Sequence, residues 1–84
     1  MNAINWTCKA AKQLRKMDKA QQRAIVDAVG DLHAMPQCQN VKALNNHAYG
    51  YRLRVRNYRV LFDWDGRIRI VEIQEVRKRD ERTY

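Results

Sequence analysis

A strict alternation of apolar and basic residues opens the second half of the chain, and it constrains the fold more than any other feature of the sequence. In residues 51–56, Tyr, Leu and Val alternate with three arginines. Successive side chains of a β-strand point to opposite faces of the sheet. The segment therefore predicts a strand with one buried face and one cationic face.

Two further strands are expected to follow as an antiparallel meander. After a turn at Asn57, residues 58–64 place Tyr, Val, Phe and Trp on one side. The pair Asp65-Gly66 is typical of a two-residue type I′ hairpin turn, in which both central residues have positive φ. Residues 67–76 then form a third strand, and the charged residues that follow are expected to be a tail.

The first half of the chain has helical periodicity. Residues 2–6 fit a short strand, and Thr7 is placed to cap a first helix. Asp18 and Gln21 form the pattern of a capping box at the start of a second helix. That helix is expected to end at about residue 35, because Pro36 cannot continue it.

Together these elements predict an α/β domain of the α+β type that occupies residues 1–84. The element order is β-α-α-β-β-β, with residues 36–50 as a polar loop between the two halves. The apolar stripe of the helices must pack on the sheet, because it has no other partner. We therefore expect a twisted, mainly antiparallel sheet with both N-terminal helices packed on one face and the arginines displayed on the other.

Size and composition exclude several classes of protein. A domain of 84 residues has a thin core and no room for a deep substrate cavity. No stretch reaches the ~18–20 apolar residues of a membrane span, and residues 1–16 lack the apolar run of a signal peptide. The two cysteines are too few for a disulfide framework, and neither has metal-ligand spacing to a partner. These features predict a cytoplasmic protein without membrane contact, metal or cofactor.

The basic charge indicates a polyanionic partner. The formal net charge is +8, and residues 52–84 contain ten of the 17 Lys and Arg residues, nine of them arginine. Arginine makes bidentate contacts with phosphate and stacks on bases, which favours a nucleic-acid backbone over an acidic protein. The alternative is a solvated face, on which Asp63, Glu72 and Glu75 neutralise the arginines as cross-strand partners.

Motifs in the second half are similar to those of a known superfamily. The stretch YGYRLRVRNYRVLFDWDGRIRIVEI, followed by VRKRDERTY, resembles the core of the RelE/ParE toxins. Their pattern is a Tyr-Arg-x-Arg strand, a short turn, a Tyr-Arg-Val strand, a hairpin, an apolar strand and a basic ending with a tyrosine. The resemblance spans nearly the whole chain and implies a RelE-like fold.

For the RelE branch, the resemblance implies a ribosome-dependent endoribonuclease that cuts mRNA in the ribosomal A site and inhibits translation. The RNA 2′-hydroxyl attacks the adjacent phosphate, so the protein positions the RNA, stabilises the charge of the pentavalent phosphate and moves protons. The matching positions assign Arg59 and Arg79 to phosphate and transition-state charge. Tyr84 matches the terminal tyrosine, which would stack on a base, orient the 2′-hydroxyl or share in proton transfer.

The same resemblance implies RNA-binding residues on the first strand of the meander. Arg52 and Arg54 fall where RelE has basic residues, and Arg56 and Lys78 are secondary candidates. RelE itself has lysines at the first two positions, and an arginine effectively never loses its proton. The general base therefore stays open, and His47 is one candidate because of the intrinsic pKa of histidine.

The resemblance also implies partners and leaves alternatives. A cognate antitoxin is expected to cover the basic face or displace the tail, and to mediate any contact with operator DNA. The 70S ribosome with mRNA in its A site is the expected target. The alternatives are a ParE-like DNA gyrase inhibitor without nuclease activity and a non-toxic nucleic-acid-binding module.

Overall fold

The computed structural model describes residues 1–78, so the expected site residues Arg79 and Tyr84 lie outside the described part of the chain. The elements in chain order are β1 (Ala3–Trp6), α1 (Cys8–Arg15), α2 (Lys19–Gly30), a 3₁₀ turn (Asp31–Ala34), β2 (Val41–Ala43), β3 (Tyr51–Val55), β4 (Tyr58–Asp65) and β5 (Ile70–Lys78).

The strands form one five-stranded sheet in the order β1-β5-β4-β3-β2. The pairs β2–β3, β3–β4 and β4–β5 are antiparallel, whereas β1 pairs with β5 in parallel. The expected α+β fold with its antiparallel meander is therefore confirmed. Strand β2 was expected to be loop, because three residues of sequence Val-Lys-Ala are too short to show a strand period.

The hydrophobic core lies on one face of the sheet, beneath the helices. It joins apolar residues of α1, α2 and the 3₁₀ turn to the inward-facing residues of the strands, namely Ala10, Ile25, Val29, Leu32, Leu53, Val55, Val60, Phe62, Val71, Ile73 and Val76. The alternate residues of the strands point the other way. One face of the sheet is thus left free of helices.

Both helices begin where the sequence predicts. The Thr7 hydroxyl accepts a hydrogen bond from the Ala10 N–H at 3.2 Å, and Asp18 Oδ1 accepts one from the Gln21 N–H at 2.9 Å. The expected capping box is only half formed, because Gln21 Oε1 is buried and has no partner among the described residues. The second helix stops at Gly30, and the 3₁₀ turn takes the place of its expected last turn.

The β4–β5 connection differs from the expected type I′ turn. The turn spans four residues, 66–69, and β5 begins at Ile70 rather than at residue 67, which leaves Ile68 64% exposed. Gly66 does not have positive φ; a Cβ there would meet the Trp64 ring at 3.0 Å. Asp65 Oδ1 accepts a hydrogen bond from the Arg67 N–H at 2.8 Å, which favours a wider turn built on the aspartate side chain.

Within the described residues, no helix is long and apolar enough to cross a membrane.

The buried side chain of Asn2 joins three parts of the fold. Its Nδ2 donates to the carbonyl oxygens of His33 and Met35 at 3.0 and 3.1 Å, and its Oδ1 accepts from Trp64 Nε1 at 3.0 Å. The residue is only 8% exposed. These bonds tie the start of the chain to the 3₁₀ turn and to β4.

Replacing this amide should therefore destabilise the protein. We expect Asn2→Leu to lower the free energy of unfolding by about 2–3 kcal/mol, because it leaves the Trp64 N–H and a buried carbonyl without partners. Urea denaturation monitored by tryptophan fluorescence measures the change. Asn5→Leu is the matched control, since Asn5 is exposed, and an equal loss in both variants would contradict the assigned role.

Candidate nucleic-acid interface

The face of the sheet that the helices leave free carries a row of three arginines. Arg54 on β3 lies directly opposite Arg59 on β4, and Arg59 lies opposite Arg77 on β5. Val60, the neighbour of Arg59, is fully buried in the core. Because adjacent residues of a strand face opposite sides, the three arginines project from the helix-free face.

A second row runs beside the first. Lys42 pairs with Arg52, Arg52 with Leu61, and Leu61 with Glu75. Leu61 is only 5% exposed, yet it does not belong to the core cluster beneath the helices. Leu61 is therefore a buried apolar residue on the helix-free face, and its cross-strand neighbours there are Arg52 and Glu75. The five cations of these two rows, which we call the basic face, are Lys42, Arg52, Arg54, Arg59 and Arg77.

Of the three carboxylates named in the solvated-face alternative, two are engaged by amide donors and one pairs with an arginine of the basic face. Asp63 accepts hydrogen bonds from the Gly50 N–H at 2.8 Å and from Gln74 Nε2 at 3.1 Å, and Glu72 accepts from the same Gln74 amide at 2.6 Å. Glu75 pairs with Arg77 and Lys9.

Over residues 1–78, the other three arginines of the basic face, Arg52, Arg54 and Arg59, have no ion-pair partner. Arg52 also has a buried Nε that makes no hydrogen bond to any described residue. A buried donor without a partner raises the free energy of the folded state. An anion bound at this guanidinium would neutralise its charge.

Glu75 has an unusual position for a carboxylate on a basic surface. Its side chain is 7% exposed, and its Oε1 lies 2.9 Å from Arg77 Nε and 3.5 Å from Lys9 Nζ. The hydrogen bond from Arg77 holds the pKa of Glu75 below its ordinary value, although burial acts in the opposite direction. The same contact raises the pKa of Arg77, with a smaller electrostatic contribution from Tyr49.

The loop before β3 contains His47 and Tyr49, whose ring centroids lie 5.9 Å apart. A hydrogen bond from the Leu44 N–H to the Gly50 carbonyl at 2.8 Å closes this loop. His47 Nδ1 accepts a hydrogen bond from the Tyr49 N–H at 3.1 Å. The general-base role considered for His47 stays a prediction.

The structure brings together only some of the residues that the sequence singled out. Arg52, Arg54 and Arg59 share the basic face. Arg56 does not, because its left-handed backbone (φ 53°) breaks the strand alternation and it borders a groove beside α2. Lys78 pairs with Tyr58, which packs against the core, so its register places it on the helix-covered side.

Sequence reasoning missed two members of the basic face. Lys42 lies on the short strand that was expected to be loop, and Arg77 was assigned to the tail. The register of β5 explains the second error: Phe62 pairs with Ile73 and Leu61 with Glu75, so Gln74 is an extra, unpaired residue. Such a β-bulge shifts the alternation by one position and hides the place of Arg77 from a period-two analysis.

Among residues 1–78, no three His, Cys, Asp or Glu side chains are grouped so that they could hold a metal ion. Glu75 is held by two cations, and Asp63 and Glu72 are held by amide donors. Four of the five cations of the basic face are guanidinium groups, which bind oxyanions through charge and paired hydrogen bonds.

Comparison with known proteins agrees with this fold. The model of the family described as ParE toxin of type II toxin-antitoxin system, parDE, matches residues 4–83. The search of curated proteins finds no match.

Solved structures similar to this chain include toxins of bacteria and archaea. The toxin–antitoxin complex RelBE2 from Mycobacterium tuberculosis matches with a TM-score of 0.81 and 28% identity, covering 93% of this chain and 98% of that chain. The archaeal RelE–RelB complex from Pyrococcus horikoshii matches with a TM-score of 0.81 and 20% identity, covering 95% and 97%. The isolated RelE toxin of E. coli matches with a TM-score of 0.80 and 16% identity, covering 96% and 87%.

The family match covers almost the entire chain, and the structural matches extend over the helices and the sheet alike. This chain therefore belongs to the RelE/ParE superfamily of toxins from type II toxin–antitoxin systems.

Proposed function

We propose that this toxin is a ribosome-dependent endoribonuclease that cleaves mRNA in the A site of the 70S ribosome and thereby inhibits translation in the cytoplasm. The observation that supports this proposal is the row formed by Arg54, Arg59 and Arg77 on an open face of the sheet. An open face suits a polymer held inside a larger particle, whereas a small metabolite is normally bound in a concave pocket.

The arginine row suits the charge that this reaction develops. When the 2′-hydroxyl loses its proton and attacks the adjacent phosphate, the bond to the 5′-oxygen of the next nucleotide breaks and that oxygen takes up a proton. Negative charge grows on the non-bridging oxygens in the transition state, and fixed donors aimed at them lower the barrier. Arg59 occupies the centre of the row and is assigned to the scissile phosphate. Arg52 and Arg54, on the neighbouring strand, are assigned to the RNA backbone.

Two further roles in the proposal rest on the sequence, because their residues lie outside the described part of the chain. Arg79 is assigned, with Arg59, to transition-state charge. Tyr84 is assigned to base stacking, to orienting the 2′-hydroxyl or to proton transfer.

Repulsion within the arginine row destabilises the folded protein. The presence of the row despite this cost supports a functional role for it. Like charges placed directly opposite each other on neighbouring strands are unfavourable. Proteins retain such local conflicts mainly at functional sites. A merely solvated surface would have no reason to align three guanidinium groups in register.

We propose a cognate antitoxin as the cellular partner of this toxin. The similar complexes from M. tuberculosis and P. horikoshii each contain an antitoxin chain. An acidic or amphipathic antitoxin segment would neutralise the basic face or displace the tail, and operator DNA would be contacted through the antitoxin.

A second candidate function, inhibition of DNA gyrase, is favoured by one observation: the matching family model is that of the ParE toxins. In that case the basic face would serve only for binding. The two candidates differ in the reaction that they block, so parallel translation and DNA-supercoiling assays separate them.

Toeprinting of mRNA on purified ribosomes tests the nuclease directly. The wild-type protein should produce cuts in the A site, and Arg59→Ala should slow cleavage about 100- to 1,000-fold, as loss of one transition-state donor typically does. Arg67→Ala is the matched control, because it removes an equal charge from the exposed β4–β5 turn and should cleave at the wild-type rate. Inhibition of gyrase with uncut mRNA would instead support the ParE-like alternative.

Although loss of Arg59 should slow cleavage, Arg59→Thr should stabilise the folded protein. We expect the free energy of unfolding to rise by about 0.2–1 kcal/mol at low ionic strength, because the substitution removes repulsion from Arg54 and Arg77. The gain should shrink in ~1 M salt, where charges are screened over about 3 Å. Urea denaturation at both ionic strengths measures it, with Arg67→Thr as the control. A lower free energy of unfolding for Arg59→Thr would contradict this expectation and show that Arg59 stabilises the fold.

A further inference from the structure

Arg77 and Glu75 form a contact that the proposed mechanism has not yet used. Arg77 donates through Nε to Glu75 Oε1 at 2.9 Å, and the same oxygen lies 3.5 Å from Lys9 Nζ on α1. The Arg77 side chain is 59% exposed, whereas that of Glu75 is 7% exposed. A buried, doubly paired carboxylate thus anchors an exposed guanidinium.

The atoms used in this contact decide what Arg77 can still bind. A guanidinium has five N–H donors, and the contact with Glu75 is made through Nε. Across residues 1–78, the two terminal Nη nitrogens have no hydrogen-bond partner. They present a paired edge of donors, which is the geometry that binds a phosphate in bidentate fashion.

The anchor also reduces the conformational freedom of a long side chain. An unrestrained arginine loses rotamer entropy when it binds a ligand, and a side chain that is already held loses less. Glu75 is itself held by burial and by Lys9, so the orientation of Arg77 is coupled to the sheet and to α1.

The position of Arg77 extends the row already described. It lies opposite Arg59, which lies opposite Arg54, so the three guanidinium groups cross three neighbouring strands. Neighbouring strands are about 4.8 Å apart, and the row therefore spans roughly 10 Å. Arg77, which lies at the β5 end of the row, can therefore contact the phosphate next to the one bound at Arg59.

The charge balance explains why a carboxylate is tolerated on this face. An isolated Glu75 would repel RNA, but its charge is offset by Arg77 and Lys9, which leaves the trio with a net positive charge. Since the pKa of Glu75 is lowered by its partners, the carboxylate stays ionised at neutral pH and the contact persists.

We infer that Arg77 is a further RNA-phosphate-binding residue of this toxin and that Glu75 is the residue that positions it. The inference rests on the proposed function for the identity of the ligand as RNA. It gives a role to a member of the basic face that the strand period of the sequence did not reveal.

Binding of an uncleavable RNA tests the role of Arg77 without relying on nuclease activity. The probe is a fluorescein-labelled 2′-O-methyl oligoribonucleotide, whose blocked 2′-oxygen cannot attack, and anisotropy is measured over a range of KCl concentrations. Arg77→Gln should weaken binding about three- to tenfold and reduce the slope of log K against log[salt] by about 0.7, the value for one phosphate contact on a single strand. Arg67→Gln, with the same loss of charge, should leave the slope unchanged. An unchanged slope for Arg77→Gln would overturn the inference.

A double-mutant cycle tests the role of Glu75. If Glu75 positions Arg77, Glu75→Gln should weaken RNA binding about threefold in the wild-type background. In the Arg77→Gln background it should no longer weaken binding, because only a repelling charge is then removed. If Glu75→Gln weakened RNA binding equally in both backgrounds, Glu75 would have a structural role. If it strengthened RNA binding equally in both, Glu75 would only repel the RNA. Either result would overturn the positioning role. In Arg77→Lys, which keeps the charge but lacks Nε, the coupling to Glu75 should be lost.

The outcomes separate this inference from the proposed function. If the wild-type protein fails to cut mRNA on ribosomes, the nuclease proposal is contradicted, yet the salt slope and the cycle still report whether Arg77 contacts phosphate. If cleavage occurs but Arg77→Gln keeps the wild-type slope, the nuclease proposal stands and the inference fails.

Discussion

The register of the antiparallel pairs β3–β4 and β4–β5 is the constraint on which the site depends. It sorts each strand into residues that pack beneath the helices and residues that face away from them. Because the side-chain period of a strand is two, a slip of one residue would bury the arginines and expose the core. The fully buried Val60 and Phe62 on the central part of β4 oppose such a slip. The hydrophobic core therefore determines the chemistry of the opposite face.

The alternation in residues 51–64 was sufficient to predict the two strands, their buried faces and the exposure of Arg52 and Arg54 on the opposite face. The place of Arg59 beside them depended on the register of β3 with β4, which the structure supplies. The caps at Thr7 and Asp18 were also predictable, because each depends on a hydrogen bond between residues that are close in the sequence. What sequence reasoning missed depends on contacts between distant residues. The bulge at Gln74, the short strand β2 and the buried Asn2 become visible only when the partner strands and the 3₁₀ turn are in place.

Arg56 illustrates how a local backbone state can override a sequence period. It follows Arg52 and Arg54 at the same spacing, yet its positive φ turns the chain away from the strand. The tight connection from Val55 to Tyr58 requires this change of direction. Residues with equal spacing thus end on different surfaces, and spacing alone is a weak guide to a site near the end of a strand.

The parallel pairing of β1 with β5 joins residue 3 to residue 70, and β5 lies between β1 and β4 in the sheet. An interior strand of the sheet, β5, is thus the last of the described elements to be synthesised. A nascent chain that lacks residues 70–78 has neither the parallel pair nor the third guanidinium of the row. Such contacts between distant segments form slowly, so the five cations of the basic face are assembled only after β5 has been synthesised.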